Sequence, residues 1–460
     1  MMSTAFASLS LSADQLTNLD TLGYKEMTPI QAQALPQALK GFDLIAQAKT
    51  GSGKTAVFAL TLLNKLDPQS FAVQGLVLCP TRELSTQVAN EIRRLAKHLP
   101  NVKVVTLFGG QPLPPQAESL KHGAHIVVGT PGRIHDHLGK GTLDLRRVQT
   151  LVLDEADRML EMGFQEDIDA ILYQTPKRRQ TLLFSATYPD NIKTLSAQYQ
   201  NQPLFVKVES VHTAQVIEQR SFICAKEQRL EALQQVLQAF QPRSAVIFCN
   251  MKVGVREVTE YLKQAGFSVK ALHGELEQRE RDEVLIQFKH QSCQLLVATD
   301  VAARGLDIED LPCVINYELP QNPDVYIHRI GRTGRAGREG LALNLLTESE
   351  RFKLIDLEEL QTAQLDTESI HDLAIHHSKP NIAPFVTLCI LGGRKDKLRA
   401  GDILGALTGE KGIDGKAVGK IDILDQTAYV AIARPLAKAA LNQLSQGKIK
   451  GKKYRVWQLH

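Results

Sequence analysis

Only six cysteines are scattered through 460 residues, no apolar run is long, and the start carries no basic cluster. Each scarcity excludes something. Cys79, Cys224, Cys249, Cys293, Cys313 and Cys389 lie far apart, several inside strand-like runs such as "GLVLCP" and "AVIFCN". That pattern fits buried, reduced thiols and argues against a disulfide framework or a structural zinc site. No stretch approaches the roughly 18 apolar residues that a membrane span requires. The opening "MMSTAFASLSLSADQ" lacks the positive n-region of a secretory signal, so a cytoplasmic protein of bacterial type is expected. His122 with His125, His135 with His137, and His376 with His377 have no cysteine or carboxylate cluster beside them to complete a four-ligand metal set. With 43% hydrophobic and 23% charged residues, the composition is that of a soluble globular chain of about three domains.

What is present is unevenly distributed. Residues 381–460 hold 14 Lys and Arg against 6 Asp and Glu, a balance of +8, whereas the whole chain is only +4. The first 380 residues therefore sum to −4, and the positive charge is segregated at the C-terminus. Concentrated cations of this kind predict phosphate affinity that falls steeply with salt.

Short runs rich in Val, Ile and Leu alternate with helix-length amphipathic stretches, the pattern of parallel sheets covered on both faces. "FDLIAQA", "GLVLCP", "VKVVTLF", "AHIVVG", "TLVLDE" and "TLLFSAT" form one series, and "SAVIFCN", "VKALHG", "QLLVATD", "CVINYEL" and "GLALNLL" a second. The pattern lapses between them, which places a boundary around Lys207 to Val216. "HHSKPNIAP" reads as a linker. The basic tail then runs strand, helix, strand, strand, helix, strand, the βαββαβ order of an RNA-recognition fold. The expected fold class is α/β: two tandem RecA-like parallel-sheet lobes, residues 1–210 and 211–370, a linker over 371–384, and a C-terminal α+β RRM-like domain over 385–460.

"AKTGSGKT" follows the first strand and opens a helix. Small residues there let backbone amides wrap a phosphate at a helix N-terminus. Lys54 supplies a cation for the β and γ phosphates, and the Thr55 hydroxyl can ligate magnesium. "VLDEAD" ends a later strand where ligands of parallel sheets bind. Its Asp154 is placed for the magnesium shell and its Glu155 to orient or deprotonate an attacking water.

"AKTGSGKT", "PTRELSTQ", Gly109 with Gly110, "TPGR", "DEAD" and "SAT" stand in the order seen in DEAD-box RNA helicases, which the chain closely resembles. "VIFCN", "HGELEQRERD", "ATDVAARGLDI" and "HRIGRTGRAG" continue the set. The resemblance implies ATP and Mg2+ as cofactors and RNA as partner. It assigns Ala48, Lys49, Thr50, Gly51, Ser52, Gly53, Lys54 and Thr55 to the nucleotide, together with Gly305, Asp307 and, through "GYKEMTPIQ" and an upstream aromatic, Gln31, Tyr24 and Phe6. It implies Arg332 and Arg335 as arginine fingers completing catalysis, and Asp157, Ser185, Thr187 and His328 as coupling residues. Core RNA contacts are implied at Arg82, Gly110, Thr130, Arg133, Arg281 and Thr299. Preference for RNA over DNA rests on the resemblance alone. An ATP-gated RNA clamp or scaffold, or a DNA translocase of the same superfamily, remains as an alternative class.

The tail is similar to the C-terminal domain of one branch of this family. That similarity implies targeting to a hairpin of 23S ribosomal RNA and a role in large-subunit assembly. It departs from an ordinary RNA-recognition domain, because "AYVAIA" offers only Tyr429 and "TLCILG" no aromatic for stacking. Contacts are therefore expected from Arg394, Lys395, Lys397, Arg399, Lys448, Lys450, Lys452 and Lys453 rather than from the sheet, with Tyr429 and Trp457 left open.

Overall fold

The computed structural model describes residues 4–48, 51–208, 217–303, 311–334, 339–361, 365–375, 379–409 and 412–459. These fall into two compact units, the first running through Val208 and the second starting at Ile217. The first unit is one parallel sheet of β1 (Leu44–Gln47), β2 (Gly75–Leu78), β3 (Val104–Leu107), β4 (Ile126–Gly129), β5 (Thr150–Leu153), β6 (Gln180–Ser185) and β7 (Leu204–Lys207). Its order is β3-β4-β2-β5-β6-β1-β7. Successive side chains of a strand point to opposite faces, so β5 sends Val152 into one core and Leu151 with Leu153 into the other. Both faces are buried, which is why these strands read as unbroken apolar runs.

The second unit opens with a sheet of β8 (Ile217–Ile223), β9 (Ala245–Phe248), β10 (Val269–Leu272), β11 (Leu295–Ala298), β12 (Cys313–Asn316), β13 (Gly340–Leu346) and β14 (Thr367–Ser369). Counted from its own first strand, its order is that of the first sheet, and its pairs are likewise parallel. β7, β8 and β14 were not among the strands read from the sequence. β7 and β14 are edge strands with little to bury, and β8 carries Glu218, Gln219 and Arg220 on a surface only partly covered.

The same unit ends in an antiparallel sheet of β15 (Phe385–Ile390), β16 (Val418–Ile423), β17 (Ala428–Ala433) and β18 (Val456–Gln458), ordered β16-β17-β15-β18. Val386, Leu388, Ile390, Val430 and Ile432 pack on one face against Ile403 and Leu407 of helix Ala400–Thr408 and Ala440 and Leu444 of helix Ala437–Gln446. The other face carries Thr387, Cys389, Tyr429 and Trp457, and it meets helix Gln278–Lys289 of the preceding lobe and the turn after it. Ile286 packs on Cys389, Tyr429, Leu459 and Trp457. His290 Nε2 lies 2.9 Å from Asp422 Oδ2 and its Nδ1 3.3 Å from Thr387 Oγ1, which is 2.6 Å from Ser292 Oγ. The segment read as a linker also packs: Gln241 donates to the Lys379 carbonyl, and Ala383 is fully buried with its carbonyl accepting from Arg434.

All six cysteines are buried and unpaired, as their spacing predicted. No helix among the described residues is long and apolar enough to cross a membrane.

Candidate nucleotide site and nucleic-acid interface

Apart from "GYKEMTPIQ", which leads into helix Pro29–Leu39 ahead of β1, the motifs of the first lobe sit at the C-terminal ends of strands, and strand order sorts them into two groups. The phosphate loop follows β1, "DEAD" follows β5 and "SAT" ends β6, and β5, β6 and β1 are neighbours. Arg82 follows β2, Gly110 follows β3 and Thr130 follows β4, and these three strands are also neighbours. One half of the sheet edge thus carries the predicted nucleotide residues and the other the predicted RNA contacts.

In the first half, Gly51 and Gly53 take φ of 82° and 95°, a left-handed conformation that suits glycine. They turn the chain into helix Lys54–Lys65, with Thr55 in its first turn. Ala48 is buried, its N–H donating to the Ser185 carbonyl. Lys49 and Thr50 lie outside the described residues. Gln31 Nε2 donates to the Gly53 carbonyl at 3.1 Å, and Thr28 Oγ1 to the Ser52 carbonyl at 2.8 Å. The amide predicted to read adenine thus braces the phosphate loop. Phe6 is buried edge-on to Tyr24, their ring centroids 5.9 Å apart, and the Tyr24 hydroxyl donates to Glu91. Both aromatics are committed to packing in this conformation.

Lys54 Nζ, Asp154 Oδ1 and Ser185 Oγ are buried without a hydrogen-bond partner. Unsatisfied buried polar atoms are rare and call for an explanation. Here a cation and a carboxylate converge on one strand edge, the arrangement that a nucleotide phosphate and its divalent metal would complete. Burial, reinforced by the Glu155 and Asp157 charges, pushes the Asp154 carboxyl up to about 6, while the Lys54 cation pulls the other way. A metal ion at that oxygen would favour the ionised form in the same sense as Lys54. Glu155 occupies a left-handed backbone position, φ 53°, and caps helix Ala156–Glu161. Asp157 Oδ2 accepts from Ala186 N at 3.1 Å, Thr187 N at 3.0 Å and Thr187 Oγ1 at 2.9 Å. The acidic turn and "SAT" are therefore one rigid element, a connection the local sequence did not reveal.

In the second half, the Arg82 guanidinium lies 4.8 Å from the Phe108 ring centroid, so close to Gly110 that a Cβ there would come within 2.6 Å of it. Thr130 caps helix Pro131–Gly139, and Arg133 on that helix donates to the Gln111 carbonyl at 2.9 Å. The four predicted contacts form one cluster.

In the second lobe, Thr299 follows β11, its Oγ1 accepting from Ala302 N, while Arg281 points at the Ala302 carbonyl. Arg332 is buried just after helix Pro323–Ile330, which carries half-buried His328. One turn earlier Arg329 grips Asp300 through Nε and NH2, both at 2.7 Å, and donates to Asn316, Asn250 and the Glu318 carbonyl. This residue, unremarked in the sequence, ties "VIFCN", "ATD" and "HRIGR" together. Gly305, Asp307 and Arg335 lie outside the described residues, as do His376 and His377.

In the C-terminal domain the eight predicted cations are all exposed. Two stretches supply them, 394–399 and 448–453, each anchored by a buried apolar residue, Leu398 and Ile449. Lys450 Nζ donates to the Lys397 carbonyl at 2.9 Å, which joins the stretches into one patch. Tyr429 and Cys389, where an RNA-recognition sheet would stack bases, are covered by the preceding lobe.

A parallel sheet with a phosphate loop after its first strand and an acidic turn after its fifth, followed by a second sheet of the same strand order without those two motifs, is the architecture of a two-lobed nucleotide-dependent core. Comparison with known proteins gives the family. Residues 28–195 match the DEAD/DEAH box helicase model, 228–337 the helicase conserved C-terminal domain and 387–458 the DbpA RNA binding domain. The chain is 49% identical over 98% of its length to the ATP-dependent RNA helicase DbpA of Escherichia coli K12, covering 99% of that protein. It is 38% identical to the DbpA of Bacillus subtilis 168, covering 98% of each. Among solved structures it resembles Saccharomyces cerevisiae Dbp5 bound to RNA and ADP BeF3, with TM-score 0.73 and 28% identity over 80% of this chain and 97% of that one. The chain belongs to the DEAD-box ATP-dependent RNA helicases and carries a DbpA-type RNA-binding domain.

Proposed function

We propose that this helicase is directed by its C-terminal domain to 23S ribosomal RNA, in the cytoplasm, and acts in assembly of the large ribosomal subunit. The observation that carries this reading is the single exposed patch made by Arg394, Lys395, Lys397, Arg399, Lys448, Lys450, Lys452 and Lys453. Cations gathered on two adjoining loops suit the backbone of a folded RNA, whose phosphates position a protein without reading sequence. The covered sheet face supports the reading of these loops as the domain's RNA-facing surface. Near-full-length similarity to two DbpA proteins supports the same assignment.

In this reading Lys54 and the loop from Ala48 to Thr55 hold the phosphates, with Gln31 turning from Gly53 to the adenine. Thr55 and Asp154 would hold Mg2+, which would supply positive charge to offset that of the phosphates. Glu155 orients the attacking water, and Arg332 with Arg335 completes the site. Arg82, Gly110, Thr130, Arg133, Arg281 and Thr299 hold one RNA strand by its backbone. Asp157, bonded to "SAT", conveys the state of the acidic turn, and His328 is its partner in coupling.

The test is steady-state ATPase activity with 23S rRNA, unrelated structured RNA and DNA, for the full chain and for a truncation after Lys379. Strong stimulation by 23S rRNA that the truncation abolishes, with weak general stimulation kept, is expected. Equal stimulation by every RNA, with or without the domain, would refute the targeting and leave the helicase core intact.

A further inference from the structure

Three carboxylates, Asp154, Glu155 and Asp157, are buried within four consecutive residues. Crowded buried anions persist only if each has its own compensation. Asp157 has the two backbone amides and the hydroxyl of "SAT", and Asp154 faces the Lys54 cation. Glu155 has Arg158: NH1 donates to Oε2 at 2.7 Å, with both side chains about 95% buried.

We propose that Arg158 is the positioning residue for Glu155, holding one carboxylate oxygen so that the other is aimed at the water that attacks the nucleotide. The inference rests on the reading of Glu155 as the group that orients that water.

Two features support it. Glu155 and Arg158 are one turn apart at the start of the same short helix, so the pair joins no distant elements and stabilises no tertiary contact. Among the described residues Glu155 is also the only side chain to which the Arg158 guanidinium donates a hydrogen bond. A buried ion pair is a poor source of stability compared with apolar residues of similar volume, so stability alone does not account for an arginine here. Orientation does. Glu155 sits in a left-handed backbone conformation that is costly for a residue with a Cβ, which fixes where its side chain departs. The ion pair then fixes where it ends.

The experiment compares RNA-stimulated kcat and KM for ATP in the full-length protein, R158Q, R158K, E155Q and R158Q/E155Q, with fluorescent ADP binding as a check on the site. Misaiming a catalytic group costs on the order of 100-fold, so R158Q is expected to lose about 30- to 100-fold in kcat, with KM and ADP affinity within about twofold. R158K, which keeps a cation there, is expected to recover at least about a third of the wild-type kcat. In the E155Q background the further change R158Q should lower the residual rate less than about twofold, because residues acting as a unit are not additive. Wild-type kcat in R158Q, a loss confined to KM, a kcat in R158K as low as in R158Q, or the full 30-fold loss repeated in the E155Q background would each overturn the proposal. If R158Q is insoluble, R158L takes its place in every comparison. A wild-type rate in E155Q would instead remove the reading of Glu155 itself, a separate result.

Discussion

His290→Ala tests whether the C-terminal domain is held on the second lobe by the contacts described. The imidazole is fully buried and donates to Asp422 from Nε2 at 2.9 Å. A hydrogen bond to a charged group is worth about 1.5–3 kcal/mol. The Asp422 side chain is 25% exposed and keeps Lys289 at 3.5 Å, so it rehydrates when the ring is removed, and the net loss falls near ~2 kcal/mol. At 1.4 kcal/mol per factor of ten, docking weakens about 30-fold. The protein contains one tryptophan, and Trp457 packs at this interface beside Ile286 and Tyr429. Its emission therefore reports docking in the intact chain. With an m-value of about 2 kcal/mol/M, the Trp457 transition in urea should move down by about 1 M. The main far-UV circular dichroism transition should stay where it is. A Trp457 transition unmoved by the substitution, or one that moves only together with global unfolding, would refute the reasoning.

The same contact has a pH signature. Donation from His290, helped by Lys289, holds the Asp422 carboxyl below its usual range despite burial; a depressed carboxylate contributes stability above its unfolded pKa of about 4 and loses it as pH falls through the folded value. Wild-type docking, followed by Trp457 emission, should weaken below about pH 4, and Asp422→Asn should flatten that limb. Gly53→Ala would set a Cβ 2.5 Å from Gln31 Nε2 at a φ of 95°; we expect an intact fold and at least about tenfold weaker ATP binding by titration, since the loop must shift away from its phosphate-ready geometry. Asp157→Asn presents an amide NH2 to donors that now share one oxygen; at about 1–3 kcal/mol for a buried unsatisfied group, calorimetry should find the melting temperature of the first lobe lowered by about 5–10 °C. An unchanged melting temperature would remove the rigid link between "DEAD" and "SAT".

Much of this protein was legible before folding was considered. Of the fifteen strand runs recognised, the central ones of the two lobes, such as β2, β5, β9 and β11, are buried throughout, where composition speaks clearly. The strands overlooked, β7, β8 and β14, lie at or near the sheet margin, where a strand needs little apolar surface. Among site residues, the phosphate loop and "DEAD" announced themselves because each is a contiguous strand, turn and helix. Arg158 and Arg329 did not, since a buried arginine and a surface arginine look alike in a string of letters.

By itself the sequence determined the local chemistry: which turns could hold phosphate, which acids end strands, where positive charge is concentrated. These depend on neighbours a few residues apart. Tertiary structure alone decided the strand order that sorts those turns into one half with the predicted nucleotide residues and one with the predicted RNA contacts. It also decided the fate of the C-terminal sheet, since His290 and Asp422 are 132 residues apart. The letters of Cys389 and Tyr429 are the same whether that face meets a base or a helix. Only the packed chain, by bringing Ile286 onto them, removes that surface from water and leaves the cationic loops facing outward.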